Sequence, residues 1–193
     1  MEHPFETDQW PVIRARDFTH VTEKRKVRVI VIHSMEAPES AKTAENVARY
    51  FQEPDYSSSA HLCIDSDSIV QCVYDNDVAF AAPGANHDGI QLELAGYASQ
   101  TPQQWLDPYG ILLLNNAANA AAQYCLKYDI PVRRLTNAQL GDGTSKGIVS
   151  HSQVSEVFRK SDHMDPGKGF PWDHFLERVA FHRAARLKKL GGG

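Results

Sequence analysis

The sequence predicts an α/β domain, a single layered sandwich with a central mixed β-sheet flanked by helices. Three observations point there. Short β-branched or alternating segments are interleaved with longer segments of helical period. A chain of 193 residues with 42% apolar content suits one domain with a real core. No internal repeat breaks the pattern. The expected organisation is an N-terminal extension over residues 1–25, a globular domain over 26–180, and a basic helix end with a Gly-rich tail over 181–193.

Residues 1 to about 25 are polar and irregular and lead into the charged run Glu23-Lys24-Arg25-Lys26. The β-branched run from Val27 to His33 then reads as a central strand covered on both faces. Ala41, Ala44, Val47, Ala48 and Phe51 recur at three- and four-residue intervals, which places them on one face of a helix that Pro54 closes. Ala60–Ile64 and Ile69–Tyr74 flank the polar turn Asp65-Ser66-Asp67-Ser68, a hairpin pattern without the usual glycine. Ile90-Gln91-Leu92-Glu93-Leu94 alternates apolar with polar, so Glu93 shares a strand face with Gln91.

Thr101-Pro102-Gln103-Gln104 combines a hydroxyl N-cap, proline at the first helical position and glutamine three residues on, which starts a helix. A longer helix is expected from about Tyr109 to Tyr128, ended by Pro131. Its apolar stripe is Ile111, Leu114, Ala118, Ala121, Cys125 and Tyr128. Gly147–His151 reads as a last strand. Phe175, Leu176, Val179 and Ala180 mark a terminal helix, whose basic end (Arg183, Arg186, Lys188, Lys189) reads as a solvated tail. Gly191–Gly193 reads as a linker stub that packs against nothing.

A net charge of −4 argues against a nucleic-acid partner, which would require an excess of Lys and Arg facing phosphates. Cys63, Cys72 and Cys125 are odd in number and lack close pairing, so thiols are expected rather than disulfides or a cysteine metal site. No segment reaches the length of a membrane span, and no leader is recognisable at the N-terminus. Cytoplasmic synthesis without insertion into a membrane is the expectation.

Of the nine histidines, any one taken alone reads as a surface or core residue. His33 and His151 are different, because each is expected to end an apolar strand. Asp165 precedes a Pro-Gly turn that fixes its direction. All three can converge at one rim of the sheet, giving the two-histidine, one-carboxylate set that a catalytic zinc uses while keeping one position for water. His61 reads equally as a substrate contact or as a packed ring bonded to a backbone carbonyl. Phe170 and Trp172 read as packing rather than as a sugar platform.

Four stretches carry a resemblance. Val29–Ser34 is similar to a strand ending in a first zinc histidine, and Ser58–Asp65 to a Ser-Ala-His strand. Ile90–Gly96 is similar to an Ile-Gly-Ile-Glu-Leu-x-Gly segment. His151, followed by Asp165-Pro166-Gly167 and Phe170-Pro171-Trp172, matches a closing motif. Over roughly residues 25 to 180 the chain resembles the zinc-dependent N-acetylmuramoyl-L-alanine amidases of the peptidoglycan-recognition-protein and phage-endolysin type.

The resemblance implies a peptidoglycan substrate and Zn²⁺ held by His33, His151 and Asp165. It also implies a catalytic role for Glu93, and for His163 the electrostatic role that lysine plays in many members. A monomeric phage endolysin acting on the cell wall is the leading expectation. A cytosolic amidase of muropeptide recycling and a non-catalytic peptidoglycan-binding module are the alternatives. Two departures stand out. Gln91 replaces a usual glycine, and Ala79–Gly84 lacks the histidine of an Ala-Trp-His-Ala-Gly stretch; neither is expected to touch the ligands.

Overall fold

The computed structural model describes residues 10–191, with side chains described through Lys189. The elements expected from sequence are present with shifted ends, together with two helices that were not expected: β1 (Val29–Ser34), α1 (Thr43–Tyr50), β2 (Leu62–Ile64), β3 (Ile69–Gln71), β4 (Gly89–Leu94), α2 (Pro102–Trp105), α3 (Pro108–Lys127), α4 (Asn137–Gly141), β5 (Gly147–Ser150), α5 (His151–Phe158) and α6 (Trp172–Gly191), the unexpected pair being α4 and α5. Five strands form one sheet in the order β3-β2-β4-β1-β5. β1 runs parallel to β4 and β5, β2 runs parallel to β4, and only β3 is antiparallel.

Strand periodicity sorts the sheet into two faces. Ile30, Ile32, Leu62, Ile64, Ile90, Leu92, Leu94 and Ile148 pack in one core with α3 and with Phe175 and Val179 of α6. Val29, Val31 and Val149 face the opposite side, where Leu140 and Val154 of α4 and α5 cover them. α3 is buried almost all round, from Leu113 to Cys125, because alanines let it lie between the sheet and α6. Ile111, expected in its apolar stripe, is 47% exposed. Arg186 of α6 donates to Asn119 Oδ1 and Arg183 is half-buried, so these two belong to the helix interface rather than to a solvated tail. Gly191 ends α6; the rest of the expected stub lies outside the described residues.

The hairpin turn works without glycine because Asp65 organises it. Its Oδ1 accepts from the Asp67 and Ser68 N–H groups, and its Oδ2 accepts from Ala44 N–H at the start of α1. One buried carboxylate thus supplies both the turn and a terminus that Lys42 does not cap. The capping box at Thr101 and Gln104 forms as its spacing predicts. Residues 10–25 contain no helix, yet they are tied to the sheet through Ile13 N–H to Gln71 O and Ala15 N–H to Cys72 O.

Neither polar residue of β4 faces open solvent. Gln91 is buried, its amide bonded to Ala85 in the loop after β3, and the Glu93 side chain is 15% exposed. The three cysteines are buried and unpaired, as expected. Among the described residues no helix is long and apolar enough to cross a membrane.

Candidate functional site

The parallel register of β1 and β4 pairs His33 with Glu93, and Val31 with Gln91. All four side chains therefore point from the face opposite α3. His33 and Glu93 lie at the carboxyl ends of their strands, where open α/β sheets leave a crevice. His151 is corrected from a strand end to the first residue of α5, directly after β5; Ser150 caps that helix by accepting from Gln153 N–H. The change of element turns the His151 ring toward the same crevice, with its centroid 4.5 Å from that of His33.

Asp165 reaches the site on the loop between α5 and α6. Its carbonyl accepts from Ser152 N–H in the first turn of α5, and its Oδ2 accepts from Ser34 N–H at the end of β1. Gly167, two residues on, has φ +87°, and an added Cβ would sit 1.8 Å from Ala98 O. Only glycine lets this loop press against residue 98 and bring Asp165 inward. Phe170 then locks the loop by edge contacts with Trp105 and Phe175, which supports its reading as packing. Trp172 is half-buried beneath the Arg134 guanidinium.

The result is a compact triad. Asp165 Oδ2 lies 3.2 Å from His33 Nδ1, and Asp165 Oδ1 lies 3.1 Å from His151 Nδ1. Ligand atoms of His33, His151 and Asp165 all fall within 4.8 Å of one another, close enough to share one ion. Glu93 Oε1 stands 3.7 Å from His33 Nδ1 with its side chain 15% exposed. Its Oε2 is buried and finds no partner among the described residues. His163 stacks on His151 at 4.2 Å between centroids, with Nδ1 3.5 Å from Asp165 Oδ1 and 58% of its side chain exposed to the groove. All five predicted site residues therefore meet at one place.

Burial and charge oppose each other here. Burial pushes the Glu93 carboxyl up to about 7, a rise that the His33 ring partly offsets. Burial by itself would lower His33, but Glu93 and Asp165 outweigh it and raise the imidazole to about 9. Asp165 is held well below the usual carboxylate range by His151 and His33 despite its burial, and His151 is lowered, chiefly by burial.

His61 is resolved as structural. Its Nδ1 accepts from Gln91 N–H, so the neutral ring carries its proton on Nε2, which donates to Asp77 O. Burial keeps its pKa well below the usual value. Gln91, expected not to touch the candidate ligands, is a further correction: its Oε1 lies 2.9 Å from His33 Nε2. The shared strand face of residues 91 and 93 was the available signal for that contact.

The triad sits in a groove of about 590 Å³ whose other wall is apolar, formed by Met35, Val47, Tyr50, Phe51 and Phe80. The wall came from helix α1 and from the loop that departs from the family pattern, and it was not read from sequence. A second concavity of about 660 Å³, lined by Ser152, Ser155, Lys168 and Trp172, adjoins it across His163.

The family model for N-acetylmuramoyl-L-alanine amidase matches residues 23–168. No curated protein matches the chain. Among solved structures, the Staphylococcus aureus hydrolase AmiA in complex with its ligand is similar at TM-score 0.66 and 17% identity, over 96% of this chain and 82% of that one. An AmpD derivative is similar at TM-score 0.64 and 16% identity, over 93% and 98%. The N-acetylmuramoyl-L-alanine amidase LysC from Clostridium intestinale is similar at TM-score 0.59 and 16% identity, over 90% and 99%. At these identities the structural likenesses establish a shared α/β fold.

Proposed function

We propose, from the premise that this chain belongs to the N-acetylmuramoyl-L-alanine amidase family, that it is a zinc-dependent endolysin. It would cleave the amide between N-acetylmuramic acid and L-alanine in the bacterial cell wall. The observation that carries the zinc reading is the convergence of His33, His151 and Asp165 within 4.8 Å. Two imidazoles and a carboxylate match the donor chemistry of a catalytic zinc, and the buried edges of the triad leave its groove side open.

Zinc held by these three residues would lower the pKa of a bound water toward about 7 and polarise the scissile carbonyl. Glu93, its Oε1 3.7 Å from His33 Nδ1, would take the proton. Its carboxylate removes a proton from the attacking water as oxygen bonds to the carbonyl carbon. The same group then returns that proton to the amide nitrogen as the C–N bond breaks, releasing lactyl carboxylate and the free amine of L-alanine. In the metal-free protein burial lifts this carboxyl to about 7, the direction that helps a carboxylate return a proton as well as accept one. His163, exposed to the groove, donates toward the developing oxyanion.

The groove supports a polymeric substrate. Tyr50 and Phe80 are exposed on its apolar wall, and the adjoining concavity, lined in part by the exposed Met164, extends the trough past His163. A glycan strand with its stem peptides can lie across such a trough.

Mass spectrometry of purified peptidoglycan after digestion tests the reading, with free stem peptides bearing N-terminal alanine as the expected product. Intact glycopeptide after digestion by zinc-loaded protein would refute the amidase reaction for this chain. Cleavage of soluble anhydro-muropeptides but not of sacculi would replace the lytic role with a recycling one.

A further inference from the structure

We infer that Gln91 is a positioning residue that fixes which nitrogen of His33 is offered to the metal. The inference rests on the zinc reading above and extends it to a residue that the family-like segment replaces, since glycine is usual at this place.

Gln91 is fully buried on β4. Its Nε2 donates to Ala85 O at 3.0 Å, and a carbonyl oxygen can only accept, so the orientation of the amide is settled. Oε1 must then be the atom 2.9 Å from His33 Nε2. An amide oxygen can only accept as well, which places a proton on Nε2 of the ring. Nδ1 is thereby left as the ligand atom, and it is the nitrogen that faces Asp165 Oδ2 at 3.2 Å.

The chain makes room for this relay. A Cβ on Gly89 would stand 2.3 Å from Ala85 O and 2.8 Å from Gln91 Nε2. Any side chain there would drive the acceptor and the amide apart. Ala85 is itself fixed by its N–H bond to Ala82 O. Ala85, tied to the departing Ala79–Gly84 stretch through Ala82, and the substituted strand position are therefore parts of one device, running from Ala85 through Gln91 to His33. Partners of this kind hold a ligating imidazole in one tautomer and one orientation, and losing one typically weakens metal binding about 10–100-fold.

Zinc affinity of the full chain, stripped with a chelator and measured by competition with a chromophoric chelator, is the test. Gln91→Leu removes both bonds, whereas Gln91→Glu keeps the acceptor for His33 and loses only the donor to Ala85. Both variants should melt at lower temperature than the wild type. Only the leucine variant should bind zinc about 10–100-fold more weakly, with the glutamate variant within about threefold of the wild type or tighter. Equal losses in both variants, or wild-type affinity in Gln91→Leu, would overturn the inference. Should the leucine variant not fold, nitrogen-15 NMR of the zinc-loaded wild type decides. A proton on His33 Nε2 with Nδ1 on the metal is expected, and the reverse assignment overturns the inference. A wild type that binds no zinc would remove the zinc reading and this inference together, whereas tight binding insensitive to residue 91 removes this inference alone.

Discussion

Replacing Glu93 with glutamine should move activity and stability in opposite directions. The substitution keeps size and removes the exchangeable carboxyl proton. Hydrolysis of purified peptidoglycan should fall about 10²–10⁴-fold, the usual contribution of a positioned acid–base group, or about 3–5 kcal/mol of barrier. The stability of the zinc-stripped chain should rise. Burial lifts the folded pKa of Glu93 from 4.5 to about 7. The folded state thus holds a proton that the unfolded state has lost, and stability declines as pH rises from about 4.5 through about 7. At pH 8 that decline amounts to as much as about 3 kcal/mol, from about 1.4 kcal/mol per pKa unit. Glutamine escapes it, because there is no charge to bury. Urea unfolding at pH 8 and product release measured on the same preparations give both quantities. Retention of full activity would refute the proton-carrier role, and parallel loss of activity and stability would reduce Glu93 to a packing residue.

Asp165→Asn should abolish stoichiometric zinc by metal analysis while circular dichroism stays native, because the backbone bond to Ser152 survives the change; an undiminished zinc content would remove Asp165 from the ligand set. His163→Ala should keep zinc and lower kcat by about 10²–10³-fold, with His163→Lys restoring most of it; an unchanged kcat would return His163 to the solvated surface. Burial pushes the Cys125 thiol from 9 up to about 12. Its contribution is intact below about pH 9 and lost as pH rises toward about 12, by roughly 4 kcal/mol in all. Cys125→Ala should therefore flatten the alkaline decline in unfolding free energy, and a decline unchanged from the wild type would show that other groups cause it.

Much of this site was legible because strand periodicity carries direction as well as secondary structure. The β-branched run ending at His33 put that residue at a strand end, while the site role of Glu93 came from the family resemblance and its pairing with His33 from the parallel register of β1 and β4. The Pro-Gly turn after Asp165 announced a fixed loop, and Gly167 bears that out by its contact with Ala98 O. Other features depended on partners distant in sequence. That Gln91 and Glu93 face a buried site was not legible, because polarity cannot tell water from such a site. The apolar wall of the groove needed α1 and the 80–88 loop to meet, which no local pattern encodes. His151 was misassigned by a single position, and that position exchanges a strand end for a helix start. Arg183 and Arg186 looked solvated because their charge hides the length of stem that lies along α3.

Charge balance supplies a separate reason to expect a cation here. Glu36, Glu93 and Asp165 line the groove together with three histidines, and no Lys or Arg is among its lining residues. Glu36 is already committed, accepting from Ser34 Oγ–H and Ala98 N–H. Glu93 and Asp165 have no basic side chain to balance them except imidazole, and the rise of His33 to about 9 measures how strongly that neighbourhood attracts positive charge. Two close carboxylates of low exposure are costly to ionise together. A divalent ion between the imidazoles and Asp165 would answer that demand at the point where the distances converge, and would leave Glu93, 3.7 Å from the His33 ring, free to carry protons. The same residues that make the pocket electrostatically unfavourable when bare are therefore those to which the proposed chemistry assigns roles, the pattern expected where stability is traded for catalysis.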